Sequence, residues 1–143
     1  GSPFSDLGII NDSDLNFSGH IASVTRKAHQ RANLILRCFI SRCIGSLISA
    51  FKTYVRPIVE YNSSIWSPSL KKDILTIESV QRRFTKRLAG MSNLSYHARL
   101  KLLKLESLEL RRLRADLLLV YKILFGHVNL SVDAFLKLIL MKN

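Results

Sequence analysis

The sequence predicts an all-α fold, a compact bundle of five or six helices with a short non-helical or strand-like segment at its N-terminus. Three observations predict it. Apolar residues recur every three or four positions along most of the 143 residues, most regularly at Ile74, Ile77, Val80, Phe84 and Leu88. Helix-breaking or helix-capping residues (Ser18, Gly45, Pro57, Gly90, Ser95, Gly126, Ser131) divide these periodic stretches. The breaks are short and there is no tandem repeat or low-complexity segment, so the helices have to pack as one domain without linkers.

Taken in order, Gly1-Ser2-Pro3 reads as a cloning remnant. Phe4, Leu7, Gly8, Ile9 and Ile10 read as a short strand, followed by a turn at Asn11-Asp12-Ser13-Asp14, whose side chains bond their own backbone. Ser18 is a candidate N-cap for a first helix over about residues 19–40, with Ile21, Val24, Ala28, Ile35 and Phe39 on its apolar face. After Gly45, Ser46 can cap a second helix bearing Leu47, Phe51, Tyr54 and Val55. Pro57 lacks the donor to continue that helix and should kink or split it. A third helix runs from about Leu70 to Ala89 and stops at Gly90. Ser95 caps a short helix through Leu103. Ser107 or Glu109 opens the most apolar helix, with Leu110, Leu113, Leu117, Val120, Tyr121 and Leu124, closed by Gly126. Ser131 starts a last short helix carrying Val132, Phe135, Leu136 and Ile139. The expected core joins Ile77, Phe84, Leu113, Leu117 and Tyr121.

Charge is the strongest compositional signal. The chain holds 22 Lys and Arg against 10 Asp and Glu, a net +12, and residues 1–20 contain three of the acids and no Lys or Arg. Such a surplus repels itself unless a polyanion offsets it, so nucleic acid is the default partner. A merely solvated surface or a patch for anionic lipid are the alternatives. No apolar run approaches the ~20 residues that span a bilayer, and nothing reads as a signal peptide, so no membrane is expected. Cys38 and Cys43 lack partners for a zinc site, and His20, His29, His97 and His127 form no cluster. There is no Gly-rich phosphate loop and no HExxH; no cofactor, no metal and no catalytic residue are expected.

The basic residues fall in groups. Arg82 and Lys86 lie on one i, i+4 row with Glu78, and Arg83 and Arg87 lie on the next. These four cations are close enough to repel in water, a cost that a phosphate backbone would reverse. Arg26, Lys27 and Arg31 on the first helix are the second candidate group. Arg111, Arg112 and Arg114 sit at a helix N-terminus, where they oppose the dipole and need compensation from Glu106 and Glu109 or from nucleic acid. Tyr54, Tyr61 and Trp66 fit core packing better than base stacking, and Arg56 can pair with Glu60 one turn on.

Three stretches are distinctive in order: Tyr54-Val55-Arg56-Pro57-Ile58-Val59-Glu60-Tyr61, then Ile65-Trp66-Ser67-Pro68, then Glu78-Ser79-Val80-Gln81-Arg82-Arg83-Phe84. Together with the stretch from Leu94 to Gly126 they resemble the region after the palm in reverse transcriptases of non-LTR retrotransposons (LINE elements, Jockey-like clades), over roughly residues 7–127. The resemblance implies a thumb domain over 18–143, preceded in 1–17 by the tail of the palm and primer-grip region. It further implies a thumb that grips the RNA template–DNA primer duplex by its phosphate backbone through Arg82, Arg83, Lys86, Arg87, Arg26, Lys27 and Arg31. The fingers, palm and catalytic aspartates are not in this chain, and Asp12-Ser13-Asp14 does not match the polymerase aspartate motif; the expectation is therefore no catalysis by itself. The implied partners are RNA–DNA hybrid, RNA or DNA duplex, and the palm of a parent RNA-directed DNA polymerase. The implied location is intracellular, nucleus and cytoplasm, in a retrotransposon ribonucleoprotein. The alternative is a helical protein-interaction or oligomerisation module, and an exposed apolar surface would make a homo-oligomer.

Overall fold

The computed structural model describes residues 3–40, 42–66, 71–126 and 136–137, with side chains for 18–40, 42–61, 71–126 and 136–137. Among the described residues up to Gly126, six helices follow one another: α1 (Pro3–Cys38), α2 (Ile44–Tyr54), α3 (Arg56–Trp66), α4 (Lys71–Lys86), α5 (Tyr96–Leu103) and α6 (Leu108–Phe125). No strand occurs among the described residues. The all-α bundle expected from periodicity is therefore the fold. The short helix read from Ser131 lies outside the described residues except for Leu136 and Lys137, which are helical.

One expectation is corrected at the N-terminus. Residues 4–17, read as strand and turn, belong to α1. Phe4, Leu7 and Ile10 are also spaced by three, and a short apolar run does not by itself separate strand from helix. Pro3 stands at the first helical position, where its missing N–H costs nothing. Ser18 consequently lies within α1 and caps nothing; its hydroxyl instead donates to both carboxylate oxygens of Asp73, at 3.1 and 3.2 Å.

The breaks between helices follow from local chemistry. Pro57 splits the second periodic stretch, and Val55 separates α2 from α3. After α4 the chain tightens through Arg87 N–H to Phe84 C=O and Leu88 N–H to Thr85 C=O, then turns at Gly90, whose φ of +77° suits a residue without a Cβ. Ser95 caps α5 by accepting from the Ala98 amide at 3.2 Å, and Ser107 caps α6 by accepting from the Leu110 amide at 3.1 Å. α5 ends on Lys104 in the left-handed region (φ 56°), with Leu105 N–H reaching back to Leu100 C=O at 2.9 Å.

The core centres on α1 and α4. Ser18–Asp73, His29–Ser79 and Asn33–Arg87 meet in the same order along both helices, so the two lie side by side and run in the same direction. Ala28 and Ala32, both fully buried, let neighbouring helices approach α1 closely, beside Ile21, Ile35 and Leu36. Phe51 of α2 stacks on Phe84 of α4 with ring centroids 4.5 Å apart. Val55, Val59, Val80 and Leu88 complete this interior.

The predicted core is half right. Ile77, Phe84 and Tyr121 are buried, whereas Leu113 is 43% exposed and Leu117 only partly covered. α6 packs on α3 and α4 by its N-terminal half and one edge, leaving its leucine stripe outside. Tyr54 and Tyr61, expected inside, are exposed too; the Trp66 side chain lies outside the described residues.

α4 also carries a polar seam that docks α5 and α6. Glu78 is buried, and its carboxylate accepts from the amides of Leu108 (3.2 Å) and Glu109 (3.1 Å) and from the Tyr96 hydroxyl. Fully buried Gln81 donates to Tyr96 Oη at 3.1 Å and to the Glu106 carbonyl at 2.9 Å. Buried Arg99 donates to Thr85 Oγ1 (3.1 Å) and to the carbonyls of Leu94 (2.7 Å) and Arg82 (3.1 Å). Burial, and then the bond to Glu78, hold the Tyr96 phenol far above its ordinary pKa, so it is a neutral donor.

Three stability changes are expected in urea unfolding. Glu78→Ala strands two buried amides and a phenol and should cost about 3 kcal/mol or more. Phe84→Ala should cost about 3–5 kcal/mol, and Leu113→Ala, at an exposed position, well under ~1 kcal/mol.

Candidate nucleic-acid interface

The cations singled out in the sequence do not form one patch, because the structure sorts them by helix flank. Arg83 on α4 and Arg87, the first residue after it, border α1. Arg87 donates to Asn33 Oδ1, and the Arg83 guanidinium acts on the His29 ring. Arg26 lies two turns before Asn33 and so shares the same side of α1 with His29, Asn33 and Arg37. Lys86 is exposed next to Arg83 and Arg87. Arg26, Arg37, Arg83, Lys86 and Arg87 thus line one strip along the α1–α4 seam.

The others face elsewhere. Arg82 is exposed, but its guanidinium lies 4.3 Å above the Tyr96 ring, on the α5 side of α4. Stacking of this kind contributes about 0.5–1 kcal/mol at an exposed site. Arg31 donates to the Tyr54 carbonyl at 3.3 Å, which turns it toward the α2–α3 junction. Lys27 is exposed on the outer surface of α1 between these two directions.

The electrostatics of the strip are one-sided. Between Ser18 and Cys38 α1 has no acidic residue. The two carboxylates of α4, Asp73 and Glu78, are 4% and 6% exposed and are occupied by Ser18 and by the α6 N-terminus. No carboxylate of α1 or α4, among the described side chains, is therefore placed to neutralise the strip. The basic group of α6 contrasts with it. Arg111 pairs with Glu60, which also sits 3.6 Å from Arg56 Nε. Arg112 faces Asp116 at 3.8 Å, and Arg114 pairs with Glu106. The compensation that these arginines required at a helix N-terminus comes from acids within the fold. Pro57, Glu60, Tyr61, Arg111, Arg112 and Asp116 line an open cleft of about 370 Å³ between α3 and α6.

His29 and Asn33 are the contacts that sequence reasoning passed over. A lone histidine and an asparagine on a basic helix carry no motif; only the parallel packing of α4 sets them in the floor of the strip. His29 is half-buried, shares a hydrogen bond with Ser79 Oγ at 3.2 Å, and titrates below its ordinary value of 6.5 because of burial and then Arg83. Among the described residues no group of His, Cys, Asp or Glu could hold a metal ion, and no helix is long and apolar enough to cross a membrane.

The lowered His29 pKa sets a pH dependence. Its charged form is disfavoured in the folded state, so the contribution is intact above the unfolded pKa near 6.5 and is lost as pH falls through and below that value. The melting temperature should fall between pH 7 and pH 5, and His29→Gln should flatten that part of the profile, as differential scanning calorimetry would read.

No protein-family model matches the chain, and no solved structure does. The chain is similar to Uncharacterized protein B0403.1 of Caenorhabditis elegans, 28% identical over 135 residues that cover 92% of this chain and 68% of that protein.

Proposed function

We propose that this domain binds a nucleic-acid duplex by its phosphate backbone along the α1–α4 seam, as the thumb of a retrotransposon-type reverse transcriptase holds its RNA template and DNA primer. The observation that carries the proposal is the strip itself. Arg26, Arg37, Arg83, Lys86 and Arg87 share one face, and both carboxylates of α4 are withdrawn into the interior. Five cations in one strip raise the folding free energy by mutual repulsion; a polyanion turns that cost into affinity.

The chemistry available is positioning. Arginine forks and a lysine ammonium bind phosphate oxygens, while neutral His29 and Asn33 add hydrogen bonds between them. None of these groups reads a base edge, so the grip is independent of sequence. Catalysis would belong to a palm domain outside this chain. The order of motifs from Tyr54 to Gly126 supports that reading, and the fold subsumes them as architecture: Glu78 and Gln81 dock the following helices, leaving Arg83, Lys86 and Arg87 for the ligand.

Binding to an RNA–DNA hybrid at several salt concentrations tests the proposal. Each lost phosphate contact should reduce the slope of log K against log salt by about one unit. Arg83→Glu, Lys86→Glu and Arg87→Glu together should nearly abolish binding at moderate salt with the helical fold intact. Arg82→Ala should leave the slope close to the parent value. Hybrid binding unchanged by the triple reversal would sink the proposal, and a salt-insensitive dimer that ignores nucleic acid would favour the interaction module instead.

A further inference from the structure

Two uncharged side chains in the floor of the basic strip have their donors and acceptors fixed by their neighbours. Ser79 has one hydroxyl proton, and it goes to the Thr76 carbonyl at 2.6 Å, because a carbonyl has no proton to offer in return. Toward His29 Nε2, 3.2 Å away, the Ser79 oxygen can therefore only accept. The neutral imidazole thus carries its proton on Nε2, and Nδ1 is a lone-pair acceptor. Burial and then Arg83 favour this neutral form. Asn33 is settled in the same way. The Arg87 guanidinium has donors only, so the amide oxygen of Asn33 faces it and the two Nδ2 protons remain to donate. Neither His29 Nδ1 nor Asn33 Nδ2 has a hydrogen-bond partner among the described residues.

We infer that His29 and Asn33 together read a ribose 2′-hydroxyl, so that the strip takes the RNA strand of the duplex. The inference rests on the backbone binding proposed for the α1–α4 seam. A 2′-hydroxyl is a donor and an acceptor on one atom, the feature that distinguishes RNA from DNA. His29 and Asn33 present its complement, one acceptor and one donor. A phosphate oxygen fits them less well, since it only accepts and would meet the Nδ1 lone pair with another lone pair.

Spacing and position agree with this assignment. Side chains four residues apart on a helix stand about 5–6 Å apart at Cβ. A hydroxyl oxygen with hydrogen bonds of about 2.8 Å on either side bridges partner atoms about 4.5–5 Å apart. On α1 the pair lies between Arg26, one turn before His29, and Arg37, one turn after Asn33, with Arg83 and Arg87 beside it. Cations for successive phosphates therefore flank a contact for the sugar between them. In an A-form duplex the 2′-hydroxyls line the wide, shallow minor groove, where side chains reach them.

Two RNA–DNA hybrids of one sequence test the assignment by fluorescence anisotropy at fixed salt. In the second, the RNA strand carries 2′-fluoro groups, which keep the A-form but cannot donate to His29. The parent chain should bind the ordinary hybrid about five- to tenfold more tightly, the worth of one neutral hydrogen bond. His29→Leu should bind the two hybrids alike. Equal binding of both by the parent chain, with affinity still lost on reversal of Arg83, Lys86 and Arg87, would overturn the 2′-hydroxyl contact and leave backbone binding standing. A preference for the hydroxyl strand that persists in His29→Leu would also overturn it. Hybrid binding that ignores the charge reversal would remove the strip as the site, and this contact with it.

Discussion

The bundle depends on one buried carboxylate. Glu78 sits in the middle of α4, away from water, and is tolerated there because the amides of Leu108 and Glu109 and the Tyr96 phenol all donate to it. Those amides are the orphan donors of the α6 N-terminus, where the helix dipole also favours negative charge. One side chain therefore satisfies two opposite requirements: a buried charge that needs donors and a helix start that needs an acceptor. Because Tyr96 stands on α5, the same carboxylate fixes the order in which α5 and α6 dock on α4.

The second polar cluster has the reverse sign. Arg99 brings a guanidinium into the interior and spends its donors on the Arg82 carbonyl, the Leu94 carbonyl and the Thr85 hydroxyl near the end of α4, where the dipole favours a cation. Between the two clusters Gln81 bridges Tyr96 to the Glu106 carbonyl. Such a seam contributes little net energy over an apolar one but makes alternatives costly, since any other docking of α5 or α6 leaves charges unpaired. The apolar stack of Phe51 on Phe84 holds the opposite side of α4.

This arrangement has a consequence for charge. By burying Glu78 and Asp73, the fold withdraws from the α1–α4 surface the carboxylates that would neutralise it. The arginines of α6 keep their acids, Glu60, Glu106 and Asp116, at the surface. Two groups of arginines that look alike in composition are thereby made different, one paired within the fold and one facing solvent along a seam.

The sequence by itself determined the class of fold, the helices α2 to α6 within a few residues, and the caps at Ser95 and Ser107, because periodicity and capping are local properties of the chain. It also identified Arg56–Glu60 as a pair, which needs only helical spacing. What it missed at the N-terminus was also local: apolar spacing over residues 4–17 fitted strand and helix alike. Only the tertiary structure decided the rest. That Leu113 and Tyr54 face outward, that Arg82 turns to Tyr96 while Arg83 and Arg87 turn to α1, and that His29 and Asn33 join them depends on which flank of each helix meets a neighbour. A helical wheel gives the flanks but not their partners. The parallel packing of α1 on α4, marked by the Ser18–Asp73 and His29–Ser79 contacts, assigns those partners through residues some fifty positions apart in the chain.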